Sequence, residues 1–371
     1  MKRISLVDLA AQYASIKKEI GAAIAAVIAD TAFAGGKNNT YVAAFEQEFA
    51  RFVGAKHCVS CANGTDAIEI ALEALGMGEG DEVIVPALTW ISTAEAVTTV
   101  GAIPVFVDIN RATYAIDPKK IEEKITSRTR AIIPVHLYGL SADMDAIMNI
   151  AKKHRLFVIE DCAQAHGALY KGRHVGTFGD IGTFSFFPGK NLGAYGDAGA
   201  IVTDSDELEK TCRQIANHGQ VRKNEHVREG RNSRMDGLQA AILSVKLPFL
   251  RKWVERRREI AAAYGALLSK SGLTLPTEPS YGKHAYHLYV IESPHRDALQ
   301  KKLAEAGIST GIHYPTALPY LLPYRRFNPG EDEYPNAVAA TAHVLSIPLY
   351  PELTEKDIAY VARALLGENP S

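Results

Sequence analysis

Cysteine is scarce in this chain of 371 residues, which holds only Cys58, Cys61, Cys162 and Cys212. Cys58 and Cys61 stand three apart in an expected buried strand. No second pair follows to complete a metal-finger spacing or a disulfide framework, so packing as reduced thiols is the expected role of all four. Net charge is almost absent too: 41 Lys and Arg against 42 Asp and Glu leave −1. That balance argues against a nucleic-acid partner or a membrane surface. No apolar run approaches a membrane span, and the opening MKRISLVDLAAQYASIKKEI carries charge within its apolar segment and lacks a small-residue cleavage site. A soluble cytoplasmic protein is expected. Internal repeats and low-complexity linkers are missing as well. What remains, at 47% hydrophobic, suffices for one large domain and one smaller one.

The most informative stretch runs from Ile159 to Val202. An apolar run, Leu156 to Ile159, ends in Glu160-Asp161, and a second, Gly182 to Phe187, ends in Pro188-Gly189-Lys190. Short apolar runs bounded by glycine and charge suit strands of a parallel sheet covered on both faces. Such sheets gather their chemistry at the carboxyl ends of the strands. An acid and an amine would then flank one cleft, an arrangement that suits pyridoxal phosphate (PLP), whose aldehyde forms a Schiff base with lysine and whose ring nitrogen takes a carboxylate. Taken singly, a lysine after a strand reads as a solvated residue, and an Asp at a strand end as a cap or turn former.

Around that stretch, strands and helices alternate. Helical spacing covers Ile16 to Val27 and Tyr41 to Val53, and a glycine- and asparagine-rich loop joins them. His57 to Ser60 reads as a strand, followed by Asn63-Gly64-Thr65-Asp66 and a helix through Leu75. A helix opening on such a turn presents free amides and a positive dipole end to an anion, although taken alone a plain N-cap by Thr65 or Asp66 is the better account. Strands are expected at Glu82 to Pro86, Ile103 to Val107, Arg130 to His136 and Leu156 to Glu160, with a helix at Met144 to His154. This rhythm predicts a mostly parallel mixed sheet between helices. His136 reads as a satisfied histidine. Pro248 is expected to kink or divide the helical stretch from Met235 to Tyr264. Beyond it, a strand at Tyr286 to Glu292 and helices at Arg296 to Ala306 and Glu355 to Leu366 make a smaller C-terminal α/β domain. The expected division is residues 1–245 as the large domain, and 246–371 as connecting helix and small domain.

Glu160-Asp161-Cys162-Ala163-Gln164 and Phe184-Ser185-Phe186-Phe187-Pro188-Gly189-Lys190-Asn191-Leu192 together resemble the signature of the DegT/DnrJ/EryC1/StrS aminotransferases. The opening Ile4 to Tyr13 is similar to that family's opening, and the likeness extends to about Pro351. It implies the PLP-dependent transferase (aspartate aminotransferase, type I) fold. It implies Lys190 as the lysine that carries the cofactor, and Asp161 at its ring nitrogen. Gln164 would lie near the ring hydroxyl, Trp90 would stack on the ring, and Gly64, Thr65 and Ser185 would hold the phosphate. Gly230-Arg-Asn232-Ser-Arg234-Met235 resembles the family element whose asparagine reaches the phosphate in the neighbouring subunit. A homodimer with shared sites would follow.

The same resemblance implies transfer of an amine from L-glutamate to a nucleotide-linked keto-sugar. Arg234, His313 and Tyr314 would bind substrate, the arginine suiting a diphosphate. The product would serve a surface polysaccharide or a glycosylated natural product. Two departures are visible. The usual G-E-G-G reads Gly196-Asp197-Ala198-Gly199, and the run that often follows His313-Tyr314-Pro315 is replaced by Thr316 to Pro323. Relatives with histidine at the lysine position dehydrate sugars, and Lys190 argues against that branch. The alternatives are another PLP reaction on the same fold, such as sugar dehydration or amino-acid elimination, and a non-catalytic regulator that retains the fold.

Overall fold

The structure is a computed structural model that describes residues 3–368. Seven strands form its main sheet: β1 (His57–Cys61), β2 (Glu82–Pro86), β3 (Ile103–Val107), β4 (Thr129–Ile132), β5 (Phe157–Asp161), β6 (Ile181–Ser185) and β7 (Gly199–Thr203). Their spatial order is β1-β7-β6-β5-β4-β2-β3. All pairings are parallel except the two made by β7, which runs against both β1 and β6. The expected mixed, mostly parallel sheet is present. Strand β7 has no expected counterpart, because its Gly199-Ala-Ile-Val-Thr203 merges into the loop-like glycine run before it.

Side chains of successive strand residues point to opposite faces, and both faces are buried. Val83 and Val85 enter one core, with Ala131 and Ile133, while Ile84, Ile132 and Val158 enter the other. The first core is covered by α3 (Gly64–Ala74) and α4 (Ser92–Thr99), the second by α2 (Thr40–Val53) and α5 (Met144–His154). Strand β4 stops at Ile132, short of the expected His136, because Pro134 has no N–H for the ladder. The chain stays extended, and Val135 still bridges Asp161. All four cysteines are free and buried.

Helix α1 (Leu9–Ala29) precedes α2, and α6 (Asp206–Ala216) follows β7. After α7 (Gly237–Lys246), a 3-10 turn at Leu247–Phe249 holds Pro248 and divides the helical stretch as expected, before α8 (Leu250–Leu268). Another core gathers residues of α8, α9 (Arg296–Glu305), α11 (Glu355–Leu366) and the antiparallel pair β8 (Tyr289–Glu292) and β9 (Val344–Ile347). Ile4 belongs to this core, bridged to Ile308. The segment that departs from the family pattern, Thr316 to Pro323, folds back instead onto the main sheet. Leu318 is buried there, and its N–H donates to Ala87 O just after β2. Helix α10 (Pro335–His343) packs on the same side. No helix among the described residues is long and apolar enough to cross a membrane.

Caps explain where the site-bearing helices begin. Asn39 accepts from the amides of Tyr41 and Val42 at α2, and Asn63 accepts from Asp66 N at α3. Behind the sheet, Phe49 is fully buried, its ring 5.0 Å from Phe184 and 5.1 Å from Phe186. Phe49→Ala is expected to lower stability by about 3–5 kcal/mol through lost burial and the cavity left behind. Denaturant unfolding of the two proteins checks it.

Candidate active site

A cavity of about 430 Å³ opens at the carboxyl ends of β1, β2, β5 and β6. Gly64, Thr65, Trp90, Asp161, Gln164, Ser185, Lys190 and Tyr314 all line it. A second cavity, of about 320 Å³, adjoins it and shares Trp90, Gln164, Phe187, Lys190 and Tyr314. His313 lies on this second wall, with Leu6, Val7, His287, Leu288 and Leu349. Residues expected from three distant parts of the sequence therefore meet. A larger cavity, about 550 Å³, lies among Arg51, Arg173, Arg251 and Lys283 and holds none of the predicted site residues.

Asp161 ends β5, is 5% exposed, and has both carboxylate oxygens occupied. Thr93 Oγ1 donates to Oδ2 at 2.9 Å, and Ala163 N donates to Oδ1 at 3.0 Å. Thr93 was not among the predicted residues. It belongs to α4, a short helix whose weak pattern gave no signal, although it lies only three residues after Trp90. Lys190 follows β6 in a tight turn, its N–H donating to Phe187 O at 2.8 Å. Although partly covered overall, its side chain is desolvated enough to bring the amine from 10.5 down to about 8, with Asp161 opposing the fall. The acid thus acts on the amine across a common space.

Gln164 is fixed at both ends. Its Oε1 accepts from Tyr138 N at 2.8 Å, and its Nε2 donates to the Tyr314 hydroxyl at 2.9 Å. Burial holds the Tyr314 hydroxyl well above its usual range. His313 shares its Nδ1 with Ser346 Oγ at 2.8 Å, and burial, then the charge of Lys190, brings its pKa to about 4. It is a neutral group at physiological pH. Trp90 is 56% exposed, which excludes a core role, and its ring lies 5.4 Å from that of Tyr314.

At the other side of the cavity, the amides of Gly64 and Thr65 begin α3 and have no partner among the described residues. A Cβ on Gly64 would come within 2.5 Å of the Ser185 Cβ. Glycine is therefore required for α3's first turn to approach the end of β6. The amides and the Ser185 hydroxyl make a donor set suited to an anion. Together with Lys190 and Asp161, this fits a cofactor that has an aldehyde, a ring nitrogen and a phosphate.

Asn232 and Arg234 line neither cavity. Arg234 donates to Asn232 Oδ1 at 2.8 and 3.1 Å and reaches Asn217 Oδ1 at 3.4 Å, while Ser233 between them accepts from Ala62 N, just before the Asn63-Gly64 turn. His136 is fully buried and also outside the cavities. Its Nδ1 accepts from Ala142 N, so its Nε2 carries the proton given to Glu160 at 3.0 Å.

A fold and site of this kind define a type I PLP-fold aminotransferase scaffold, and sequence comparison agrees. Residues 14–366 match the DegT/DnrJ/EryC1/StrS aminotransferase family. The chain belongs to that family. It is 46% identical to a UDP-N-acetyl-3-dehydro-alpha-D-glucosamine 3-aminotransferase of Acidithiobacillus ferrooxidans, covering 98% of this chain and 97% of the relative. It is also 46% identical to a pleiotropic regulatory protein of Geobacillus stearothermophilus, over 98% and 97% of the two chains. Among solved structures, DesV of S. venezuelae in complex with a ketimine intermediate superposes with a TM-score of 0.96 at 40% identity, covering 99% of this chain and 98% of the other.

The lowered Lys190 value has a direct consequence. The amine is protonated below pH of about 8 and free above it. In the apo-protein, acylation of Lys190 followed by peptide mass analysis should rise through that pH. Asp161→Asn removes the charge that favours the ammonium, so the midpoint should move lower.

Proposed function

We propose that this chain transfers an amino group from L-glutamate to a nucleotide-linked keto-sugar, dTDP- or UDP-bound, with pyridoxal phosphate as cofactor. The observation that carries the reading is the pairing of Lys190 with Asp161 on one cavity, with free helix amides and Ser185 at its other side. When bound, pyridoxal phosphate supplies an electron sink for the carbon that gains or loses the amine.

The chain's own residues do the rest. Asp161, held by Thr93 and the Ala163 amide, would face the ring nitrogen and favour its protonated form. Gly64, Thr65 and Ser185 bind the phosphate through amides and a hydroxyl. Gln164 lies beside the ring hydroxyl, oriented by Tyr138 and Tyr314. Trp90 covers the ring, and its apolar face with that of Phe187 limits water. Lys190 would hold the cofactor at rest and, once freed, its amine would move the proton between the substrate carbon and the cofactor in each half-reaction. An amine brought to about 8 is poised for both states near neutrality.

In this reading His313 and Tyr314 face the sugar across the second cavity. Asn232 reaches the phosphate in the partner subunit, and Arg234 takes the nucleotide's diphosphate, so the enzyme works as a homodimer. The exposed position of Asn232 and the half-buried one of Arg234, both outside their own chain's cavities, support that assignment. The amino sugar would be made in the cytoplasm, for a surface polysaccharide or a glycosylated natural product.

Lys190→Ala is expected to lose turnover by more than about a thousandfold, and Asp161→Ala nearly as much. The assay supplies glutamate and a panel of dTDP- and UDP-keto-sugars. Amino sugar and 2-oxoglutarate should form in equal amounts. Sugar dehydration would yield no 2-oxoglutarate in step with product. The likeness to a regulatory protein favours a second reading, a chain that has kept the fold without turnover. A wild-type protein that stays colourless when PLP is added would support it.

A further inference from the structure

Midway along α8, Arg257 is 3% exposed, its guanidinium turned into the protein. Nη1 donates to three main-chain carbonyls, Tyr286 O at 3.2 Å, His287 O at 3.4 Å and Leu349 O at 2.8 Å. Among the described residues no carboxylate hydrogen-bonds it, and its Nε has no partner. Burial lowers its pKa to about 10, with Glu352 opposing through space, so it stays charged at neutral pH. A buried cation without a bonded counter-ion is expensive. Holding the fold together does not require one where leucine or methionine would fill the space.

The carbonyls it holds are informative. Residues 284–288 have no regular structure, and Tyr286 sits at φ +44°, a left-handed conformation that a tyrosine adopts only when its surroundings impose it. Two other holds on this segment come from the site. Asn191, next to Lys190, donates Nδ2 to Ala285 O at 3.0 Å. Leu288 N donates to Tyr138 O at 3.3 Å, and Tyr138 N is the group that fixes Gln164. Ala285 N also donates to Gly139 O at 2.8 Å, and Arg258 Nη1 to His284 O at 3.0 Å, but of all these holds only Arg257 also grips Leu349. His287, Leu288 and Leu349 are wall residues of the second cavity.

We propose that Arg257 is a positioning residue for the keto-sugar, fixing the 286–287 turn and Leu349 at the separation that sets the width of the cavity beside Lys190. This rests on the reading of the second cavity as the sugar's place. The sugar spans that width, whereas the smaller glutamate fills less of it. Arg257→Met should therefore raise the KM for the nucleotide-sugar about tenfold or more, and its Kd for the apo-protein by calorimetry likewise. The glutamate half-reaction, followed by the cofactor's absorbance, should stay within about threefold. Arg257→Lys keeps the charge but reaches fewer carbonyls, so it should fall between, and it replaces the methionine variant if that one does not fold. Sugar KM and Kd within about twofold of wild type would overturn the proposal, as would both half-reactions falling together with the folded fraction. A wild-type chain that aminates no keto-sugar overturns the underlying reading as well, and reveals this before any variant is made.

Discussion

A desolvated amine facing a carboxylate across a small cavity is the constraint on which this structure depends. Burial alone would drive the lysine toward its neutral form, and the Asp161 charge draws it partway back, to about 8. Asp161 stays fixed because Thr93 and an amide each take one of its oxygens. The amine and the acid are brought together because β5 and β6 are parallel neighbours whose ends fall on the same edge of the sheet.

Much of the surrounding architecture serves that edge. Gly64 lets α3 start against Ser185, which sets two amides unpartnered among the described residues, and a hydroxyl, on the same cavity. The turn after β6 returns the chain into the core at Leu192 and Ala194, so Lys190 sits on a short, anchored loop. The far wall comes from a different part of the chain. There Tyr314 bonds Gln164, and the 284–288 segment is tied to Asn191, next to Lys190.

The sheet and the lysine–acid pair were legible in the sequence because they rest on local signals. Apolar runs of strand length ended in charged residues, and glycine marked the turns, so β2, β3 and α5 appear at their expected bounds. The residues that escaped notice act through tertiary contacts. Thr93 lies on a helix too short and polar to announce itself, and Arg257 reads as one more cation in the run Arg256-Arg257-Arg258. Its neighbours do reach surface acids, Arg256 to Glu355 and Arg258 to Glu278. Nothing in the spacing shows that the middle arginine turns inward. Strand β7 was hidden for a similar reason, since it is placed by antiparallel pairing between its predecessor β6 and the far-off β1.

The departure at Thr316 to Pro323 is also clearer in three dimensions. Its Leu318 is buried against the residues that follow β2, so the segment helps to support the loop that carries Trp90.

The central claim is most directly tested by borohydride reduction of the protein incubated with pyridoxal phosphate, followed by peptide mapping. The account predicts the reduced cofactor's mass on the peptide containing Lys190 and on no other, with none in Lys190→Ala. A label on a different lysine, the buried Lys246 for example, or no label at all, would contradict it.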